Sequence, residues 1–253
     1  MALAAIAYLV PAAFGAGLVD SIAGGGGLVS LPALLAAGLP PQIAIATNKG
    51  QSTVGNAASF AAHWRLGNMD RERAPVAFGA GLLGACVGAA ALLSMRPEPL
   101  RPLVAGLLVF AAAVVALRGR LSPGPSSKRI PKHPLATVAV IGVVLGVYDG
   151  FFGPGVGSLL IVAFTVAFGD TLTRASGNAK AANLGSNLAA LIIFAFRGTV
   201  VWGVALPMAL ANVAGATIGS RFAVARGDRV VRAVVILVVA AGVTKLVLDM
   251  RRP

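Results

Sequence analysis

The sequence predicts an all-α, polytopic membrane protein, and three features carry that prediction: a charge-poor apolar composition, long uncharged runs along the whole chain, and one pattern of runs met twice. Hydrophobic residues make up 57% of the 253 and charged residues 11%, with a mean hydropathy of +0.87. A soluble domain carries roughly 25% charged residues, so water is not the main solvent of this chain. A spanning helix needs about 20 apolar residues, and the runs here supply that length repeatedly.

Long segments are expected near Leu3–Ile22, Ile43–Ala62, Ala74–Met95 and Leu100–Leu117, with a short one, Leu28–Ala37, after the first glycine cluster. The rhythm returns in Leu135–Phe151, short Gly157–Phe168, Ser176–Phe196, Val200–Gly219 and Val230–Leu248. This divides the chain into an N-terminal transmembrane repeat (1–117), a basic cytoplasmic connector (118–134) and a C-terminal transmembrane repeat (135–253). Each repeat holds about four long helices and one glycine-broken half-helix. The connector, with Pro123, Gly124, Pro125, Ser126, Ser127, Lys128 and Arg129, has the composition of a solvated loop.

Residue identities repeat along with hydropathy. Gly17-Leu18-Val19-Asp20, followed by Gly24 and Gly26, recurs as Gly146-Val147-Tyr148-Asp149, followed by Gly153 and Gly155. Asn48 answers to Asn178, Gly55 to Gly185, and Gly84 with Gly88 to Gly215 with Gly219. The last two pairs space small residues four apart on one helix face, where they let helices approach closely. Two pseudo-symmetric halves, inverted in the membrane, are the arrangement that lets one half rock against the other around a central site.

Several function classes are poorly served. The net charge of +13 comes from short basic clusters between apolar runs, so nucleic acid is not an expected partner. Cys86 is the one cysteine and offers neither an intrachain disulfide nor a zinc quartet. No phosphate-loop ending follows the glycine runs and no Ser/His/Asp set stands out, so no catalytic residue, metal or cofactor is assigned and no enzyme is expected. His63, His133, Trp64 and Trp202 lie at segment ends and suit the membrane interface. No Lys or Arg precedes the Ala2–Val19 stretch, so the first segment is expected to stay attached.

Asp20, Lys49, Asp149 and Lys180 are the charges that fall inside apolar segments. An uncompensated charge at the bilayer centre costs about 2.5–3.5 kcal/mol, so such groups face a cavity, pair or do work. If they only pair, the expected bridges hold each half together. Each Asp precedes a run that cannot stay helical: Ser21–Gly27 in the first half and Gly150–Gly157, with Pro154, in the second. The half-helices beyond would turn amides toward the break, which suits an anion. Gly25, Gly26, Gly27 and Ser30 are the candidate ligands on the first side, and Gly155, Gly157 and Ser158 on the second. The polar stretches Ala46–Thr53 and Ser176–Asn183 are expected to form a second pair of breaks, bringing in Asn48, Lys49, Asn178, Lys180, Asn183 and, one turn later, Asn187.

Asp20–Gly27, Thr47-Asn48-Lys49, Tyr148–Ser158 and Gly177–Asn183 together resemble the sulfite exporter TauE/SafE family of small bacterial permeases, over nearly the whole chain. The resemblance implies a multi-pass protein of the bacterial inner membrane that moves a small sulfur-containing anion: sulfite, a sulfonate or a sulfur-containing carboxylate. Membrane lipid would surround it, and a homodimer stays open. With no nucleotide site, an ion gradient, the membrane potential or the substrate's own gradient must drive it. Asp20 and Asp149, the acids within apolar segments, are the candidates for proton coupling. A passive anion channel is the alternative.

The positive-inside rule puts the connector in the cytoplasm, and counting crossings puts Arg65, Arg71 and Arg73 on its side. If each short segment completes a crossing, the halves are inverted and both termini periplasmic. If each joins its preceding helix instead, both termini are cytoplasmic, as Arg251 and Arg252 would favour. The inverted arrangement is preferred because it suits alternating access.

Overall fold

The computed structural model describes residues 3–121 and 131–222, and among them the ordered elements are all helices. In chain order these are α1 (Leu3–Ala23), α2 (Gly27–Ala36), α3 (Pro41–Arg65), α4 (Arg73–Ser94), α5 (Pro97–Leu121), α6 (Pro134–Phe151), α7 (Val156–Phe168), α8 (Leu172–Phe196) and α9 (Trp202–Phe222). The expected segment Val230–Leu248, Arg251, Arg252 and most of the connector lie outside the described residues. Five described helices, α4, α5 over Pro97–Leu117, α6, α8 and α9 over Trp202–Gly219, are long and apolar enough to cross a membrane. The chain is therefore a multi-pass, all-helical membrane protein, and α2 and α7 are the short apolar helices expected after the glycine runs.

The polar stretches are not breaks. Ala46–Thr53 lies inside the uninterrupted α3, and Ser176–Asn183 inside the uninterrupted α8. Asn, Ser, Thr and Lys cost only tenths of a kcal/mol in a helix, whereas a glycine run or a proline costs far more. Each stretch carries a single glycine and no proline. Its polar side chains are satisfied sideways, across helices, and need no unwinding.

Small residues set the packing. A Cβ on Gly84 would come within 2.9 Å of the Val147 amide nitrogen, and one on Gly88 within 2.7 Å of that of Phe151, so α4 lies backbone to backbone along α6. Gly215 and Gly219 do the same for α9 against α1, at Leu18 N (3.2 Å) and Leu18 Cα (3.0 Å). In both pairs residue numbers rise together, so α4 runs parallel to α6 and α9 parallel to α1.

These contacts fix the direction of each helix. Gln42, in the first turn of α3, donates through Nε2 to the carbonyls of Leu92 (3.0 Å) and Met95 (2.8 Å), tying the start of α3 to the end of α4. The start of α9 sits at that same end of the bundle: Val201 N donates to Thr47 Oγ1 at 3.1 Å, and Gly50 packs on Val200 and Ala205. Parallel packing then starts α1 at the Gln42 end and α6 at the Arg73 end. Each broken helix enters from the opposite end to the other, goes in, breaks, and returns as α2 or α7 to the end it came from.

The Arg73 end is locked by charge. Arg73 forks onto Asp170 (Nη1–Oδ2 and Nη2–Oδ1, both 3.0 Å), lies 4.5 Å over the Phe168 ring, and bonds Asp70 through Nε at 3.0 Å. Asp70 also accepts from its own helix start, Arg73 N at 3.1 Å, and from Arg174 Nη2 at 2.6 Å. Burial would raise the Asp70 carboxyl, but these donors outweigh it and hold the group down at about 2, from the usual 3.8. A depressed acid stabilises the fold above its unfolded value and ceases to as pH falls through its folded value. We expect Asp70 to contribute about 1–2 kcal/mol, after discounting for its partial exposure, lost between about pH 4 and pH 2. Thermal unfolding in detergent across that window checks this, with Asp70→Asn showing a shallower fall than the wild type.

Candidate anion-binding site

The first break forms because Gly24 takes a left-handed φ of +70°, a conformation that L side chains rarely adopt. Its amide still caps Asp20 O at 3.0 Å, while Gly26 N reaches the Asp20 carboxylate (Oδ1, 3.5 Å). A Cβ on Gly26 would strike Asp20 Cβ at 2.7 Å, so glycine alone lets the chain fold back over the acid. In the second break Gly153 (φ +98°) and Gly155 (φ +82°) make the turn, and Tyr148 OH pins it by donating to Pro154 O at 2.8 Å. The two breaks touch. A Cβ on Gly24 would lie 2.8 Å from the Gly157 carbonyl carbon, and one on Gly27 would lie 3.1 Å from Pro154 Cα.

Where they meet, α3 and α8 supply the polar wall of a cavity of about 30 Å³. That is room for about two waters. The buried charges beside it pair across the halves: Lys49 Nζ with Asp149 Oδ1 at 2.6 Å, and Lys180 Nζ with Asp20 Oδ2 at 2.7 Å. The expectation of bridges within each half is thereby corrected. The reason is the packing just described, because α3 and α8 lie against each other and each presents its lysine to the opposite broken helix. The pairs are unequal in access. Lys49 and Asp149 are 2% and 1% exposed, whereas Asp20 is 18% exposed.

Asp149 also accepts from Ser186 Oγ and from Asn187 Nδ2 (3.2 Å) at Oδ2. An amide chain continues from there: Asn187 Nδ2 donates to Asn183 Oδ1 (2.6 Å), Asn183 Nδ2 to Asn56 Oδ1 (3.1 Å), and Ser52 Oγ to Asn187 Oδ1 (3.0 Å). On the other wall Ser30 Oγ donates to Asn48 Oδ1 at 2.6 Å. Such a network fixes rotamers and presents a rigid polar surface.

Of the residues singled out in the sequence, Asp20, Gly26, Gly27, Asn48, Lys49, Asp149, Gly155, Asn183 and Asn187 line the cavity. The others lie outside its lining. Gly25 packs on Val19, Leu28 and Val115, Ser30 stands behind Asn48, and Gly157 presses on Gly24. Ser158 is buried in the first turn of α7, and Lys180 stands behind Asp20. Asn178 belongs to the charged end of the bundle, where its Nδ2 donates to Asp170 and its Oδ1 accepts from Asp70 N.

Sequence reasoning gave no site role to Gly24, Gln51, Ser52, Asn56, Gly153, Val156 and Asn212, which also line the cavity, or to Ser186, which bonds Asp149. Ser52 and Asn56 are one turn apart, as Asn183 and Asn187 are, and that spacing was the available signal. Among the described residues no group of His, Cys, Asp and Glu is placed to hold a metal ion. What the site offers is an ammonium, side-chain amides and the first turn of a half-helix around a small cavity, with carboxylates balancing the lysines.

The profile of the sulfite exporter TauE/SafE family matches residues 9–246. The chain belongs to the sulfite exporter TauE/SafE family. A "probable membrane transporter protein" of Sinorhizobium sp. is 34% identical over 98% of this chain and 94% of its own length. Another of that description, from Escherichia coli K12, is 33% identical over 92% and 86%, and one from Haemophilus influenzae 29% identical over 96% and 95%. No solved structure matches. Like these relatives, the chain is a membrane transporter, and among the described residues Lys49, Asp20, Asp149 and several amides of its interior converge on the cavity between its two broken helices.

Proposed function

We propose that the chain is a secondary transporter of a small sulfur-containing anion, bound in the cavity between the two glycine breaks and coupled to a proton. The observation that carries the reading is the cavity's charge balance. Lys49 faces it but is neutralised by Asp149, and Asp20 faces it but is neutralised by Lys180. An anion added to this set would leave a net buried negative charge, which is costly in a low-dielectric interior. Protonating one carboxylate frees its lysine for the anion and restores neutrality. Lys49, Asn48 Nδ2 and the amides at Gly26 and Gly27 are the donors at hand. The family's description names sulfite, which supports a sulfur oxyanion as the cargo.

We further infer that the halves are inverted copies. Exchanging them turns Lys49–Asp149 into Lys180–Asp20 and the α4–α6 contact into the α9–α1 contact, and the broken helices enter from opposite ends. Rocking one half against the other would expose the cavity to each side in turn.

The test is flux in proteoliposomes. Under an imposed proton gradient the wild type is expected to accumulate sulfite above its equilibrium level, and Asp20→Asn/Asp149→Asn to lose pH-dependent flux. Simple equilibration in the wild type would make the protein a passive channel, and an unchanged pH dependence in the double variant would remove the acids from coupling.

A further inference from the structure

Gln51 lies on α3, half a turn from Lys49, and is 1% exposed. It lines the cavity, and its Oε1 is one of two buried side-chain polar atoms among the described residues without a hydrogen-bond partner, the other being His63 Nδ1. The orientation of this amide is set by its neighbours. Ser30 Oγ and Asn48 lie 2.6 Å apart, a normal O–H···O separation but short for N–H···O, so Asn48 turns its oxygen toward Ser30. That oxygen then also accepts from Gln51 Nε2 at 2.9 Å, which leaves Gln51 to offer its own oxygen elsewhere. A buried carbonyl without a donor is unfavourable, and at a cavity wall it marks a place where a ligand supplies the missing hydrogen.

Resting on the anion-site reading above, we propose that Gln51 Oε1 is a specificity element that accepts a hydrogen bond from the transported anion, so that the cargo is an anion bearing its own donor. A monoprotonated oxyanion such as hydrogensulfite fits this chemistry. Its ionised oxygens face Lys49 and Asn48 while its hydrogen goes to Gln51. A fully deprotonated oxyanion has only acceptors, and one of them would be set against the Gln51 oxygen. Sites built to bond a substrate's donor reject analogues that lack it much more strongly than apolar pockets reject a missing methylene. The small cavity volume favours a ligand whose donor sits on the same central atom as its charge.

Sulfamate and methanesulfonate separate the idea from its alternatives, since both are singly charged SO₃ anions of similar size and only sulfamate carries N–H donors. Calorimetric titration of purified wild-type protein in detergent is expected to show sulfamate binding about tenfold tighter or more. In Gln51→Leu the ratio of the two affinities should fall to about one. Equal binding of the two anions by the wild type would overturn the role of Gln51 and leave the anion site standing. Binding of neither would overturn both. A preference that survives in Gln51→Leu would assign the acceptor to another residue. The wild-type comparison decides the matter even if the variant does not fold.

Discussion

Lys49→Met is expected to lower the stability of the protein by about 3–5 kcal/mol and to abolish transport. The substitution leaves Asp149, 1% exposed, without the ammonium 2.6 Å away that neutralises it. Ser186 and Asn187 still donate to that carboxylate, but neutral donors do not cancel a buried charge. Adding Asp149→Asn removes the orphaned charge, so the double variant should recover most of the lost thermal midpoint. Transport should not recover, because the cation facing the cavity is still missing. This separation of stability from flux is the informative part: a double variant that transports normally would show that Lys49 holds the fold together and nothing more.

The second large effect is expected where the two breaks touch. Gly157→Leu would force a Cβ to within 2.8 Å of Gly24 Cα, and since the obstacle is backbone, no side chain can swing away to make room. Overpacking of this kind costs about 1–3 kcal/mol, and relief can come only by separating the breaks. Because the cavity exists where they meet, flux should fall at least about tenfold even in protein that remains folded, as a small misplacement of binding groups is enough for that. Gly79→Ala and Gly106→Ala are the matched controls. Nothing lies within 4 Å of a Cβ at either position, so both are expected to keep the wild-type flux and a thermal midpoint no lower than the wild type's.

Much of the fold was legible because lipid imposes one rule on the backbone: internal satisfaction of its hydrogen bonds. Among the described residues, apolar runs bounded by charge therefore predicted helices whose ends fall within a few residues of those in the structure, and glycine runs predicted where helices stop. The site was legible in part for the same reason, since Asp20, Lys49, Asp149 and Lys180 could not be paid for by water and had to converge. The pairing of those charges was not legible. Spacing along the chain relates Asp20 to Lys49, but which helices lie side by side is set by Gly81, Gly84 and Gly88 on α4 and by Gly215 and Gly219 on α9, whose contacts are all with the other half.

Polarity also misled. The Ala46–Thr53 and Ser176–Asn183 stretches looked like places where helices fail, yet no residue in them forces the backbone out of helical geometry. Their side chains reach across to each other instead, as Asn183 does to Asn56 and Ser52 to Asn187. Asn212 illustrates a further limit. It is a lone amide in the apolar run of α9, and only the close approach of α9 to α1 and α3 brings it to the cavity.

Proton uptake on anion binding is the most direct measure of whether the buried carboxylates and the anion exchange places on the lysines. Titrating purified protein with sulfamate, whose own charge does not change near neutral pH, in buffers of different ionisation enthalpy should give an uptake of about one proton for each anion bound, falling to zero in Asp20→Asn/Asp149→Asn. Tight binding by the wild type with no proton taken up would contradict the mechanism.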